Sequence, residues 1–104
     1  MCGIIGIFNK NNATKSVIEG LKILKNRGRD SYGIITEKQI EIENKISELN
    51  IITTKNAMGH ALHSIVGNVK QPIKFHGKIV ANCEIYNWKE LNVKYKLNAK
   101  NDAE

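Results

Sequence analysis

The pattern of apolar and polar positions predicts short strands and two helices. The apolar, β-branched run at residues 2–8 predicts a buried strand. From about residue 13 to residue 26, apolar residues recur at helical spacing with lysines on the other face, which predicts an amphipathic helix that stops near Arg27-Gly28. A second helix is predicted from the spacing of Trp88, Leu91 and Tyr95.

Further strands are predicted at residues 32–36, 40–43, 58–66 and 78–82. The pattern at residues 45–56 is ambiguous between helix and strand, and we expect a helical turn followed by a short strand at 50–53. The single proline, Pro72, predicts a turn or loop. Since no repeat, low-complexity tract or linker interrupts the chain, we expect one domain over residues 1–104.

Composition and charge narrow the function classes. A length of 104 residues, 41% hydrophobic and 25% charged, is ordinary for a soluble domain. No leader or long apolar run is present, so we expect a cytoplasmic protein without a membrane segment. The net charge of +6 leaves nucleic-acid binding as an alternative. The cations are dispersed lysines apart from Arg27 and Arg29, which favours a solvated surface over a nucleic-acid site.

Cys2, directly behind Met1, is the first candidate for chemistry. If Met1 is removed, the thiol of Cys2 lies beside its own free α-amine. Because a free α-amine and a thiol lose their protons at similar pH, the amine could take the thiol proton at little cost and generate a nucleophile without a histidine. The alternative is a small apolar residue at the start of a buried strand. Cys83 is the second cysteine, and no CxxC motif indicates a disulfide framework.

Three more segments carry candidate chemistry. The loop Arg27-Gly28-Arg29-Asp30-Ser31-Tyr32-Gly33 could approach a bound polar group, or simply end a helix and start a strand. His60 and His63 alternate along a predicted strand and are poorly arranged to share a metal, so a hydrogen-bonded structural role is favoured for His60. Asn82, at a predicted strand end, could donate to an oxyanion together with the next backbone N–H, or cap a turn.

Taken in order, these segments resemble a class II glutamine amidotransferase domain. The match includes Cys2-Gly3-Ile4-Ile5-Gly6, the Arg27–Gly33 loop, Gly59-His60 to Ile65, Asn82 to Leu91 and the chain end Asn101-Asp102-Ala103-Glu104. The stretch Glu84-Ile85-Tyr86-Asn87, followed by Glu90-Leu91, is similar to the glutaminase domain of asparagine synthetase. The resemblance covers essentially the whole chain.

The resemblance implies roles residue by residue. Cys2 would attack the glutamine side-chain amide, with its α-amine as base and then as acid. Asn82 and the backbone N–H of Cys83 would form the oxyanion hole. The glutamine pocket would be formed by the carboxylates of Glu84 and Asp102, which hold the substrate α-amine, and by the backbone of Ile65 and Val66.

Two positions depart from the family pattern. Leu62 stands where the family has an arginine that clamps the substrate carboxylate, so another cation such as Arg29 or His63 would have to replace it. Cys83 stands where the family has a glycine, which keeps the backbone N–H but adds a side chain. These departures favour the alternative of a degenerate binding module without glutaminase activity.

The fold implied by the resemblance is α+β, a four-layer αββα sandwich of the N-terminal-nucleophile hydrolase type, of which this chain would supply the N-terminal half. Glutamine would be the substrate, and a synthetase domain or partner subunit would receive the ammonia, most readily for asparagine synthesis. No cofactor or metal is expected in this chain, because ATP and Mg²⁺ would belong to the synthetase domain. Uncovered sheet edges predict marginal stability or self-association of the isolated chain.

Overall fold

The computed structural model describes residues 1–65 and 67–104. It contains two α-helices and six strands within those residues. In chain order these are β1 (Gly3–Ile7), α1 (Ala13–Leu24), β2 (Ser31–Thr36), β3 (Ile40–Glu43), β4 (Ala57–Leu62), β5 (Ile73–Lys74), β6 (Lys78–Ile79) and α2 (Trp88–Tyr95), with a 3₁₀ turn at Ile46–Glu48.

A four-stranded antiparallel sheet organises the first part of the chain. Its strand order is β1-β4-β2-β3, so β4 lies between the first two strands in sequence. Gly3 pairs with Ala61 and Ile4 with His60, while His60 also pairs with Gly33 of β2. This register places the start of the chain beside the end of β4. We call α1 and this four-stranded sheet, residues 1–62, the sheet body.

Helix α1 packs on one face of the sheet and forms the core with it. Val17 and Leu21 are fully buried there. A Cβ at Gly59 would clash with Val17, and one at Gly20 would clash with Ile5, so both glycines permit the close approach of helix and sheet. The core cluster consists of Ala13, Val17, Ile18, Leu21, Tyr32, Ile34, Leu49, Ala57 and Ala61.

The opposite face of the sheet carries His60 and meets residues 71 and 72. A Cβ at Gly33 would clash with the carbonyl oxygen of Gln71 and the ring of Pro72, so this segment lies directly on the sheet. Residues 67–104, which we call the C-terminal arm, bury only Gln71, Pro72 and Asn101 among their side chains. No residue of α2 is buried.

Most elements follow the predictions, but β5 was not predicted, the strand predicted at residues 50–53 was wrong, and several bounds differ. No strand forms at residues 50–53, because Thr54 is bound to the start of α1 through Ala13 N–H to Thr54 O at 3.2 Å and the two threonine hydroxyls at 2.7 Å. β1 alternates between inward and exposed positions rather than being buried throughout. The first helix ends at Leu24, two residues early.

The two strands that lead to the predicted site are also shorter than predicted. β4 ends at Leu62, where its carbonyl accepts the Asp30 N–H at 3.0 Å, and β6 ends at Ile79. The helix turn at Ile46–Glu48 and helix α2 agree with the predictions. The described residues thus form a mixed α/β fold with antiparallel sheets, and the four-layer sandwich stays a prediction. Among them, no helix has the length and apolarity needed to cross a membrane.

Candidate active site

Cys2 lies just ahead of β1, and its thiol contacts the backbone of His63, the residue after β4. The backbone N–H of His63 donates to Cys2 Sγ at 3.4 Å, and the thiol donates to His63 O at 3.6 Å. The backbone nitrogen of Cys2 donates to Asn82 Oδ1 at 3.2 Å, across 80 residues of sequence. Half-buried Cys2 is therefore held through its sulfur by the residue after β4 and through its backbone nitrogen by the arm.

A cavity of about 230 Å³ opens beside this thiol. It brings together all of the described residues that the sequence assigned to catalysis or glutamine binding: Cys2, Leu62, Ile65, Asn82, Cys83, Glu84 and Asp102. Val66, assigned to the same pocket, lies outside the described residues. Co-location does not test their roles, which stay predictions.

Asn82 reaches the cavity from a segment without strand pairing. Ala81, just before it, is bound instead by side chains: its N–H donates to Gln71 Oε1 at 2.7 Å, and its carbonyl accepts from Gln71 Nε2 at 3.2 Å. The ring of His60 also contacts this carbonyl, with Nε2 at 3.1 Å. Because Asn82 Oδ1 is engaged by Cys2, its Nδ2 is left as a donor.

His60 is a fully buried ring on β4. Burial lowers its pKa, which keeps the imidazole neutral, and the contact to Ala81 O implies that Nε2 carries the proton. Nδ1 has no hydrogen-bond partner in the described part of the chain. This geometry agrees with the structural role that the sequence favours.

Two carboxylates and a second thiol lie on the arm side of the cavity. Asp102 Oδ2 accepts the N–H of Ile85 at 3.0 Å, which fastens the chain end to the segment after Asn82. The pKa of the Cys83 thiol is raised by its partial burial and further by the Asp102 carboxylate. The charge of Glu84 raises the pKa of the Tyr86 hydroxyl, so this carboxylate lies next to Tyr86.

Of the two residues suggested to replace the carboxylate-clamping arginine, His63 lines the cavity and Arg29 does not. Leu62 lines the cavity with 5% of its surface exposed. Arg29 lies in a neighbouring hollow that shares Met1 and His63 with the cavity, and its Nη2 donates to Asn26 Oδ1 at 3.3 Å. Among the described lining residues, the carboxylates of Glu84 and Asp102 are both acidic, and His63 also lines the cavity.

The loop at residues 27–33 has a visible structural use. Asp30 Oδ2 accepts the N–H of Ser64 at 2.7 Å, and a Cβ at Gly28 would clash with the carbonyl oxygen of Ala61. The loop therefore supports the end of β4 that contacts Cys2. This favours the structural alternative over a ligand-binding loop.

Sequence reasoning missed Gln71. Its side chain is 4% exposed, lines the cavity and binds both backbone groups of Ala81. The only sequence signal is its position before Pro72, which does not reveal a buried amide. No cluster of three or more histidine, cysteine or acidic side chains suited to a metal occurs in residues 1–65 and 67–104.

The model of the glutamine amidotransferase domain family matches residues 1–104, the whole chain. The chain belongs to this family. A cysteine at position 2, hydrogen-bonded to an asparagine side chain beside a small cavity, is therefore found in a glutamine amidotransferase domain.

Curated relatives are similar over different shares of the chain. A protein of Methanocaldococcus jannaschii that carries the name asparagine synthetase (glutamine-hydrolysing) 1 is 33% identical over 94% of this chain and 20% of its own length. A glutamine–fructose-6-phosphate aminotransferase of Buchnera aphidicola is 40% identical over 66% of this chain and 11% of its own length. An amidophosphoribosyltransferase of Pseudomonas aeruginosa is 44% identical over 35% of this chain and 7% of its own length.

The chain thus spans about a fifth or less of the length of these relatives. No solved structure gave a significant match.

Proposed function

We propose that this domain hydrolyses the side-chain amide of glutamine to glutamate and ammonia, with Cys2 as nucleophile. The observation that carries the proposal is the hydrogen bond from the Cys2 nitrogen to Asn82 Oδ1 at 3.2 Å, at the edge of the cavity that Cys2 lines. After removal of Met1 this nitrogen becomes the α-amine. One N–H bonded to Asn82 would then orient the amine so that its lone pair remains available to the thiol.

The reaction proceeds in two balanced halves. The amine takes the thiol proton, the sulfur attacks the amide carbon, and the ammonium returns the proton to the leaving nitrogen, which departs as ammonia. Water then attacks the γ-glutamyl thioester and gives its proton to the amine. Glutamate leaves and the Cys2 thiol is restored, so that one glutamine and one water yield one glutamate and one ammonia.

Both tetrahedral intermediates place a negative charge on the former amide oxygen. Asn82 Nδ2 and the backbone N–H of Cys83 are the donors proposed for it, and each such donor is worth about 2.7–4 kcal/mol of transition-state stabilisation. The carboxylates of Glu84 and Asp102 are proposed to hold the substrate α-amine, alongside the backbone of Ile65 and Val66. Leu62 supplies no charge, so we expect weak glutamine binding.

We further propose that the ammonia serves asparagine synthesis on a synthetase domain or partner, because the relative matched over 94% of this chain carries the asparagine synthetase name. Such a partner would hold the ATP and Mg²⁺. In that setting residues 1–104 form part of a four-layer sandwich of the N-terminal-nucleophile type. A cytoplasmic location stays a prediction from the sequence.

The test measures two quantities on the same protein, the mass of its N-terminus and its release of glutamate from glutamine. We expect intact-mass analysis to find Met1 removed and glutamine to yield glutamate, while Cys2→Ala abolishes the release. Cys83→Ala is the matched control, since it removes the other thiol of the cavity and keeps the backbone N–H. Retained Met1, or equal release from the Cys2→Ala variant, would contradict the nucleophile assignment.

A second candidate is a binding module without glutaminase activity. It is favoured by the buried Leu62 and by the acidic character of the cavity, which together disfavour the carboxylate of glutamine. This candidate predicts the same negligible glutamate release from the wild-type chain and from Cys2→Ala.

A further inference from the structure

We propose that Gln71 is a positioning residue for the oxyanion donors, acting through the backbone of Ala81. The inference rests on the proposed glutaminase function and adds to it a residue whose hydrogen bonds go to Ala81 rather than to Cys2. It also assigns a reason for the burial of an uncharged amide at this place in the fold.

Gln71 uses both ends of its amide on one residue. Oε1 accepts the Ala81 N–H at 2.7 Å and Nε2 donates to Ala81 O at 3.2 Å. With only 4% of the residue exposed, water has little access to compete for these bonds. An amide buried without partners would be costly, and here both of its groups are satisfied by the same residue.

The bonds to Gln71 take the place of a strand. β6 ends at Ile79, so Ala81 obtains its hydrogen bonds from side chains instead of a ladder. The peptide planes on either side of Ala81 set the direction in which the next residue, Asn82, leaves the backbone. They also set where the N–H of Cys83 points. Gln71 therefore controls the orientation of both proposed donors.

Ala81, which Gln71 binds, also connects these donors to the sheet that carries the nucleophile. His60 Nε2 contacts the Ala81 carbonyl at 3.1 Å, and His60 pairs with Ile4 in β1, two residues from Cys2. Cys2 and Asn82 lie on separate parts of the chain, and Ala81 is the place where those parts are joined by buried polar contacts. A misplacement of about 1 Å in such an arrangement can cost about 100-fold in rate.

Two reactions of the same thiol separate positioning from general structural damage. Alkylation of Cys2 by iodoacetamide displaces iodide from a saturated carbon and develops no oxyanion. Glutamine hydrolysis at Cys2 develops an oxyanion in both of its tetrahedral intermediates. For Gln71→Met, which keeps the length and removes both hydrogen bonds, we expect kcat for glutamate release to fall about 10- to 100-fold with KM unchanged. The alkylation rate at Cys2, followed by peptide mass, should stay at the wild-type value.

The matched control is Gln39→Met, at the chain's other glutamine, which is exposed in the turn between β2 and β3. It should change neither rate. Gln71→Glu is the second variant, because it keeps an acceptor for the Ala81 N–H and loses the donor to the carbonyl; it should show the same split between kcat and alkylation.

The outcomes distinguish the two proposals. Parallel loss of both reactions in the Gln71 variants, or unchanged glutamate release, would overturn the positioning role and leave the glutaminase function standing. A wild-type chain that is alkylated at Cys2 but releases no more glutamate than Cys2→Ala would overturn both.

Discussion

The sheet body and the C-terminal arm are stabilised by different interactions. In the body, the core cluster packs apolar side chains between α1 and the four-stranded sheet. In the arm, side-chain amides bind backbone groups: Gln71 binds both groups of Ala81, and Asn92 binds both groups of Ala99 at 2.8 and 3.1 Å. Apolar packing tolerates small shifts in direction, whereas a hydrogen bond does not. The contacts of the arm therefore fix the orientation of its backbone more than they add to the free energy of unfolding.

This difference matters because the candidate site combines the two regions. The body supplies Cys2, whose sulfur contacts the backbone of His63 just after β4, and the arm supplies Asn82, Glu84 and Asp102. We therefore expect substitutions in the body to change the free energy of unfolding first, and substitutions in the arm to change the rate of reaction first.

The largest effect is expected for Asn82→Ala. Loss of this donor should lower kcat for glutamate release about 10²- to 10³-fold, while the melting temperature stays close to that of the wild type because Asn82 is exposed. Asn98→Ala, another exposed asparagine of the arm and outside the cavity, is the control. A large drop in melting temperature with Asn82→Ala would break the proposed separation between stability and orientation.

A smaller effect, on stability, is expected from the same truncation in each helix. Val17→Ala in α1 should reduce the free energy of unfolding by about 2 kcal/mol, because a fully buried side chain loses two methyl groups and leaves a cavity. Val93→Ala in α2, where the side chain is 81% exposed, should change it by no more than about 0.5 kcal/mol. Urea titrations of the two variants measure the contrast, and equal losses would contradict it.

The smallest effect is expected on the pH dependence of stability, through His60, which contacts Ala81 of the arm. Because burial lowers the pKa of His60 below its ordinary value of 6.5, the unfolded chain binds a proton there before the folded chain does. Stability should therefore fall as the pH drops below 6.5, with a slope of at most about 1.4 kcal/mol per pH unit from this residue. His60→Gln should flatten the dependence and the exposed His76→Gln should not. Identical pH profiles for all three chains would exclude His60 as its source.

The sequence predicted the body better than the arm. Helix α1 and strands β1 to β4 were predictable because hydrophobic periodicity reports burial against a sheet, and their core residues recur at that spacing. The strand at residues 78–82 was cut short at Ile79, since the pairing of Ala81 with Gln71 depends on a contact ten residues away that no local pattern reveals. Local propensity likewise predicted a strand at residues 50–53 that does not form.

The membership of the site was predictable from motifs, and its internal contacts were not. Cys2, Asn82 and Asp102 were selected by their order along the chain and do line one cavity. The engagement of Asn82 Oδ1 by the Cys2 nitrogen, and that of Asp102 by Ile85, follow from tertiary geometry. Gln71 shows the limit most clearly, because a polar residue in a predicted loop gives no sign that it is buried.

The position of Met1 adds a point about timing. Met1 lines both the cavity and the neighbouring hollow that contains Arg27 and Arg29. On the proposed mechanism, its excision would free the α-amine that serves as general base and widen the space beside the thiol in a single event. On the proposed mechanism, a chain that keeps Met1 is therefore a zymogen, with the thiol in place and its base still blocked.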